Sequence, residues 1–312
     1  MIDLLTSADL WFRTVQASTA LLFVALGGYV ILRSGVFHLG LEGTMLIGAF
    51  CAAVGAEQTA QPWVGIPAGM LAGLLVSVLF ALLVVVWRAS DLMTGIAINF
   101  LALGGTGLAL QLIYDVQGGL SSPRLDSIPT LTIPGVAQLP SIGDVLSGQT
   151  ILTYASWLLA VGLAWWIVST RGGLTLRVVG LRPEIASALG RSVSRTQWLA
   201  IACGGVLIGL GGAQLALGEV AQFQEGMTSG RGFVALLLVL IAGRHAWLLA
   251  PLAFGFALFE ALGFSLQTIG LPDELSGVVP YVAVLLFVGL PPLVRRLQGA
   301  ATASAPAAAD AT

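Results

Sequence analysis

Two carboxylates lie inside apolar stretches of this sequence, where a charge is costly. Glu42 stands near the start of RSGVFHLGLEGTMLIGAF (33–50), and Glu260 stands midway through LLAPLAFGFALFEALGFSLQTIG (248–270). An acid at the centre of a bilayer costs about 2.5–3.5 kcal/mol on insertion scales, so each needs a protein partner, a polar cavity or a solute. For Glu42 two readings stand side by side: a pathway residue within the membrane, or a cap or arginine partner at its edge. Glu260 reads as an interior group bridging helices or as part of a solute pathway. Asn99 in TGIAINFLALGGTG (94–107) and Gln111 beyond it are polar but neutral, which suits hydrogen bonds between helices.

Enzyme chemistry has little to work with. There is no GxxxxGK[ST] phosphate loop, no HExxH pair and no Cys/His cluster, and His38 and His245 lack an evident catalytic partner. Cys51 and Cys203 both sit in apolar runs and read as small buried hydrophobes rather than as a disulfide or metal pair. No catalytic residue, metal or cofactor is expected. Energy for any vectorial work must then come from an ion gradient or from another subunit.

The elements that position these residues follow from composition. The chain is 57% hydrophobic and 9% charged, where soluble domains carry about 25% charged residues. Residues 14–32, 58–87, 92–114, 196–218 and 275–294 contain no charge. A spanning helix needs about 20 apolar residues, whereas buried strands run about 4–8. A membrane barrel would alternate polar residues, and these runs do not. An all-α, polytopic membrane protein is predicted, with about nine transmembrane helices near 15–32, 39–56, 63–87, 92–113, 151–169, 198–218, 231–243, 247–269 and 276–293. The seventh is short for a crossing, and reads as a half-helix or as one that extends into its flanks. The opening MIDLLTSADLWFR has acids where a secretory signal has its basic region, so the first apolar run is expected to remain as a span.

Arginines set the orientation, because short cytoplasmic loops collect positive residues and the chain has no lysine. With the N-terminus outside and the C-terminus inside, the cytoplasmic segments hold Arg33, Arg88, Arg171, Arg177, Arg182, Arg191, Arg195, Arg244, Arg295 and Arg296. The outside keeps Arg13, Arg124 and Arg231. Residues 1–298 are expected to form one transmembrane domain. Within it, the Pro- and Gly-rich stretch 114–150 is an external loop, and 170–197 is the largest cytoplasmic loop. The Ala-rich tail 299–312 is expected to be disordered.

The cytoplasmic loop contains a short helix with its own punctuation. Pro183 suits the first helical position, Glu184 favours the positive end of the dipole, and Gly190 suits a left-handed stop. A helix over 183–189, entered from Arg182 and including Ala186, would place Ile185 and Leu189 on one face as a small apolar knob among arginines. Such a knob fits a groove on a cytosolic partner, and the plain alternative is an ordinary positive loop.

Together these segments resemble the permease family of bacterial importers for simple sugars, branched-chain amino acids and nucleosides, and are most similar to the nucleoside branch. Four stretches carry the resemblance over about residues 20–293: SGVFHLGLEGTMLIGAF, LMTGIAINFLALGGTG, LRVVGLRPEIASALGRSV with the glycine-rich span after it, and EGMTSGRGFVALLLVLIAGRHAWLLAPLAFGFALFEAL. His38 stands where the family pattern usually has Asn, and Thr44 where a second Met is common. The sugar branch commonly carries an acidic-serine motif where this chain has GLEG. The resemblance implies a solute pathway near His38, Glu42, Asn99 and Glu260, lying between two permease subunits, here a heterodimer with a second homologous permease. It also implies a cytosolic ATP-binding-cassette ATPase docked on the helix at 183–189, an extracytoplasmic solute-binding lipoprotein, and a place in the bacterial cytoplasmic membrane. The partners are thus these proteins, a small-molecule nucleoside and membrane lipid, with no nucleic acid.

Other readings remain in view. A permease for a pentose or another simple sugar is the nearest. A gradient-driven secondary transporter would show intramembrane acids and broken helices without a docking loop. An intramembrane enzyme would need a paired nucleophile and base. The arginine partition makes a direct prediction: cysteines placed at Ser122 and Asp273 should react with an impermeant thiol reagent from outside intact cells, and one at Ser192 should not. External labelling at Ser192 would reverse the orientation.

Overall fold

Uncharged runs of this length must satisfy their backbone groups internally, and helices are the result. The computed structural model describes residues 7–132, 142–268 and 282. Its long helices are α1 (Ala8–Arg33), α2 (Leu41–Thr59), α3 (Pro62–Ala81) and α4 (Asp91–Tyr114). After the short α5 (Ile142–Leu146) come α6 (Ile151–Ser169), α7 (Arg171–Leu181), α8 (Pro183–Ala188), α9 (Val193–Ala213), α10 (Arg231–Ala242) and α11 (Leu249–Thr268). Single π turns, Leu82–Val86 and Gln214–Glu219, extend α3 and α9. Ser90, Thr150, Thr170 and Ser192 cap helix starts by accepting from backbone N–H groups three residues on.

Each expected span except the last carries a helix; 276–293 and the tail 299–312 lie outside the described residues. Among the described residues six helices are long and apolar enough to cross a membrane, and the chain is a multi-pass membrane protein. Their burial divides them. The apolar window of α1 is 83% buried and that of α9 72%, while those of α3, α4 and α6 are 33%, 22% and 28% buried. Helices α1 and α9 are therefore interior pillars. The outer helices turn Leu75, Leu112, Leu158 and Val161 outward, a surface that only lipid or another apolar partner can cover.

Glycine lets α9 be surrounded on three sides. A Cβ on Gly209 would come within 2.2 Å of the Gly69 carbonyl of α3, and one on Gly212 within 2.2 Å of the Met45 carbonyl of α2. One on Gly204 would meet the Gly27 carbonyl of α1 at 2.7 Å. Backbones this close exclude any side chain. At one end of the bundle, buried polar groups lock the pillars in register. The Thr150 hydroxyl donates to Gln214 Oε1 at 3.1 Å, Thr19 donates to Thr153 at 3.2 Å, and Gln16 donates to the Gly218 carbonyl at 2.9 Å.

Two connections hold more structure than their sequences suggest. Within 114–150, β1 (Gly119–Leu120) pairs antiparallel with β4 (Phe223–Gln224), in register Gly119 with Gln224, and β2 (Thr130–Leu131) pairs with β3 (Gln149–Thr150). Within 170–197, α7 precedes the predicted short helix. Its Leu176 and Val179 are buried, and Gly180 packs against the Arg33 carbonyl.

The α3–α9 seam yields a prediction. Gly209→Leu should destabilise the purified protein by at least the ~1–3 kcal/mol of an overpacked core. Gly162→Leu, at a position with nothing within 4 Å of a built Cβ, should leave the thermal midpoint near the parent's. Equal midpoints for the two variants would mean that the seam is looser than drawn.

Candidate functional site

Helix α10 has 12 residues, about 18 Å of rise, well under the ~30 Å hydrocarbon thickness. Its start is fixed by contacts to neighbouring helices. The Gly230 N–H donates to Glu42 Oε1 at 2.8 Å, and the Gly232 N–H donates to Glu42 Oε2 at 2.6 Å. The next residue of α2, Gly43, donates its N–H to Asn99 Oδ1 at 2.8 Å. Asn99 lies about 12 Å along α4 from Asp91 at the helical rise. Arg231 pairs with Glu260 through Nε at 3.1 Å and through a second guanidinium nitrogen, and Glu260 lies about 16 Å along α11 from Leu249. Helix α10 therefore begins level with a point about a third of the way along α4 and with the middle of α11. It is a half-helix.

The approach to it runs down α4. β4 pairs with β1 beyond the end of α4. Glu225 then packs by Gly107 and accepts from the Gly118 N–H at 3.1 Å, and a Cβ built on Gly226 would lie 3.7 Å from Leu103. Ser229 and Gly230 follow with φ of +46° and +84°, which turns the chain into α10. Gly232 must be glycine for a second reason: a Cβ there would lie 2.5 Å from the Glu42 backbone.

Two unlike charges thus meet at one helix end. The Glu42 carboxylate takes the place of an N-cap, bonded to orphan N–H groups at the positive end of the dipole. Arg231 is bound to Glu260 and also donates to the Met227 carbonyl at 3.3 Å. Glu219, half-buried, lies within electrostatic reach of Arg231, and its buried Oε1 is free of hydrogen bonds among the described residues. Arg231 is accordingly no outer-loop arginine, as the sequence partition had it.

Beside this junction lies a cavity of about 340 Å³, open on one side. Glu42, Asn99, Thr228 and Ser229 give it polar atoms, and Phe100 and Phe233 give it aromatic walls. Of the residues expected on a solute pathway, Glu42 and Asn99 line it, and Glu260 is joined to the same helix end through Arg231. His38 does not line it. That ring is buried against Phe80, with centroids 3.9 Å apart, and neither nitrogen has a partner among the described residues. Glu219, Arg231, Thr228, Ser229, Phe100 and Phe233 were not singled out from sequence. The visible signal for Thr228, Ser229 and Arg231 was EGMTSGRG (225–232), with two glycines ahead of a helix too short to cross.

At the arginine-rich end, α8 ends one residue earlier than expected. Gly190 takes the left-handed conformation with φ +72°. Ala186 is buried, Arg182 and Glu184 are exposed, and Ile185 and Leu189 are 43% and 71% exposed.

Comparison with known proteins supplies the biological context. The family described as "Branched-chain amino acid transport system / permease component" matches residues 11–288. The guanosine ABC transporter permease protein NupQ of Bacillus subtilis is 33% identical, with 88% of each chain covered. The nucleoside ABC transporter permease protein NupC of Lactococcus lactis is also 33% identical, covering 88% of this chain and 89% of its own. TsgC13 of Haloferax volcanii, a permease provisionally named for glucose, is 32% identical over 90% of this chain and 86% of its own. A solved ABC transporter in an inward-facing conformation has a similar fold, with TM-score 0.50, 19% identity and coverage of 89% of this chain and 84% of that one.

The ion pair gives the test of this site. Glu260→Leu strands the Arg231 charge and should cost ~3–5 kcal/mol, read as a large fall in the thermal midpoint. Glu260→Gln should be milder. The double variant Arg231→Leu/Glu260→Leu should recover most of the loss. A double variant no more stable than Glu260→Leu would remove the pair from the account.

Proposed function

The chain belongs to the branched-chain amino acid transport system permease family, and from that premise we propose that it carries a nucleoside across the bacterial cytoplasmic membrane. It is the permease component of an ABC importer and not itself an enzyme, so the gradient-driven and intramembrane-enzyme readings are set aside. A separate cytosolic ATPase supplies the energy, a binding lipoprotein delivers the solute outside, and a second homologous permease completes the pathway. Nine spans with the N-terminus outside fit the arginine-rich α7–α8 segment facing that ATPase.

The observation that carries the solute class is the cavity at the start of α10. Phe100 and Phe233 offer aromatic faces to a planar base. Thr228 and Ser229 offer hydroxyls to a ribose, and Asn99, whose Oδ1 accepts from Gly43 and whose Nδ2 donates to the Leu39 carbonyl, keeps one N–H for a base edge. The names of the relatives NupQ and NupC support the same class. A simple sugar is the second reading, favoured by the glucose designation of TsgC13. The aromatic walls weigh against it only in part, since sugars also pack on rings.

Coupling runs through α8 in this reading. Its apolar Ile185 and Leu189 project from an exposed turn flanked by Arg182 and Arg191, and a partner groove explains why they are apolar. Ile185→Asp should insert and fold as the parent does, yet lose ATPase association and solute uptake together. Burying the new charge without a partner is unfavourable by several kcal/mol, on the order of 3. Parental solute-stimulated ATP hydrolysis in that variant would place coupling elsewhere.

A further inference from the structure

The transport reading leaves one large feature unused, a crevice at the arginine-rich end of the bundle. Between α6, α7 and α9 a slot of about 570 Å³ is walled by Leu163, Leu176, Leu199, Ala200 and Leu207, with the exposed thiol of Cys203 along it. At one end it meets a hollow of about 460 Å³ lined by Arg171, Arg191 and Thr175 and by Ala186 of α8. Arg191 and Thr175 border both spaces, which are therefore adjacent. Trp166 lies on the wall of the slot, near the end of α6 where α7 turns across it.

The two parts ask for different things. The slot is apolar and faces outward, so lipid rather than water is what reaches it. The hollow is cationic: ion pairs among the described residues join Arg13 to Asp9 and Arg231 to Glu260, and leave Arg171 and Arg191 without a carboxylate. Guanidinium forks match phosphate oxygens, and basic pockets between helices at a membrane face hold lipid headgroups. A tryptophan at that level is the usual companion of the headgroup boundary. A zwitterionic lipid would add no net charge to balance two arginines, and a free anion would leave the slot unfilled.

We propose that this composite crevice binds an anionic phospholipid, with its phosphate on Arg171 and Arg191 and one acyl chain in the slot along α9. The site stands independently of the solute reading. Since Ala186 and Leu189 both line the hollow, the headgroup would pack against that side of α8 while Ile185, which is not in the lining, stays available to a partner.

The test uses the full-length protein purified in mild detergent and equilibrated with equal phosphatidylglycerol and phosphatidylcholine, with retained lipid read by native mass spectrometry. The parent should keep phosphatidylglycerol in preference. Arg171→Gln/Arg191→Gln should lower its retention about 30-fold, at roughly 5-fold per arginine. Arg171→Lys/Arg191→Lys should restore most of it. Cys203→Trp, which fills the slot and leaves both arginines in place, should also reduce retention. Glycerol 3-phosphate, with the charge but no chains, should not compete. Lipid-free thermal midpoints equal to the parent's confirm that the variants fold, and a Gln variant that fails this is replaced by the Cys203→Trp arm. Equal retention of the two lipids by the parent, undiminished phosphatidylglycerol in the folded Gln variant, or displacement by glycerol 3-phosphate would each overturn the proposal.

Discussion

The architecture turns on one carboxylate placed at a helix end inside the bundle. Without a side chain from elsewhere, the first N–H groups of α10 would be orphaned where little water can reach them, each at a cost of several kcal/mol, on the order of 3. Glu42 answers two of them with its two oxygens. The same bonds answer the other problem, because a lone carboxylate in that position would itself be unfavourable. Each group makes the other tolerable, and the pairing fixes α2 against α10 across 188 positions of chain.

The rest follows in layers. Since α10 starts well inside the lengths of α4 and α11, the chain before it must descend along α4, and residues 226–230 do so through glycines and a left-handed Ser229. Irregular backbone at that level survives only where protein or a polar cavity lines it, and a cavity with Asn99, Thr228 and Ser229 on its wall is what lies there. Arg231, carried on the first turn of α10, needs a counter-charge, which Glu260 provides from α11. Holding these short contacts in place requires rigid pillars, and the glycine faces of α9 bring α1, α2 and α3 to backbone contact around it.

Much of this could be read from residue types and runs. The positions of the helices followed from uncharged stretches, and Glu42, Asn99 and Glu260 drew notice because polar groups in apolar helices require an explanation. What escaped notice was relational. Arg231 looked like a loop arginine because its partner lies 29 residues away on another helix. Phe100 and Phe233 are apolar residues among many, and only their placement around the cavity separates them from lipid-facing neighbours. Helix α7 was hidden by its arginines, which drew attention to charge rather than to the buried Leu176 and Val179. His38 sits where the family pattern suggests a pathway residue, yet the turn of chain before α2 directs its ring onto Phe80, a choice set by packing that no local pattern encodes.

The central claim is that solute passes by the broken start of α10. It is tested most directly by a single cysteine at Ser229, with Cys51 and Cys203 replaced by Ala, in proteoliposomes that also hold the ATPase, the second permease and the binding lipoprotein. The measurement is its rate of modification by an impermeant, charged thiol reagent added to one side at a time. The account predicts reaction from one side in the resting state and from the other once the ATPase is trapped with nucleotide, with protection by nucleoside in each. A thiol that stays unreactive in both states, or that reacts equally from the same side in both with no protection by nucleoside, would contradict it.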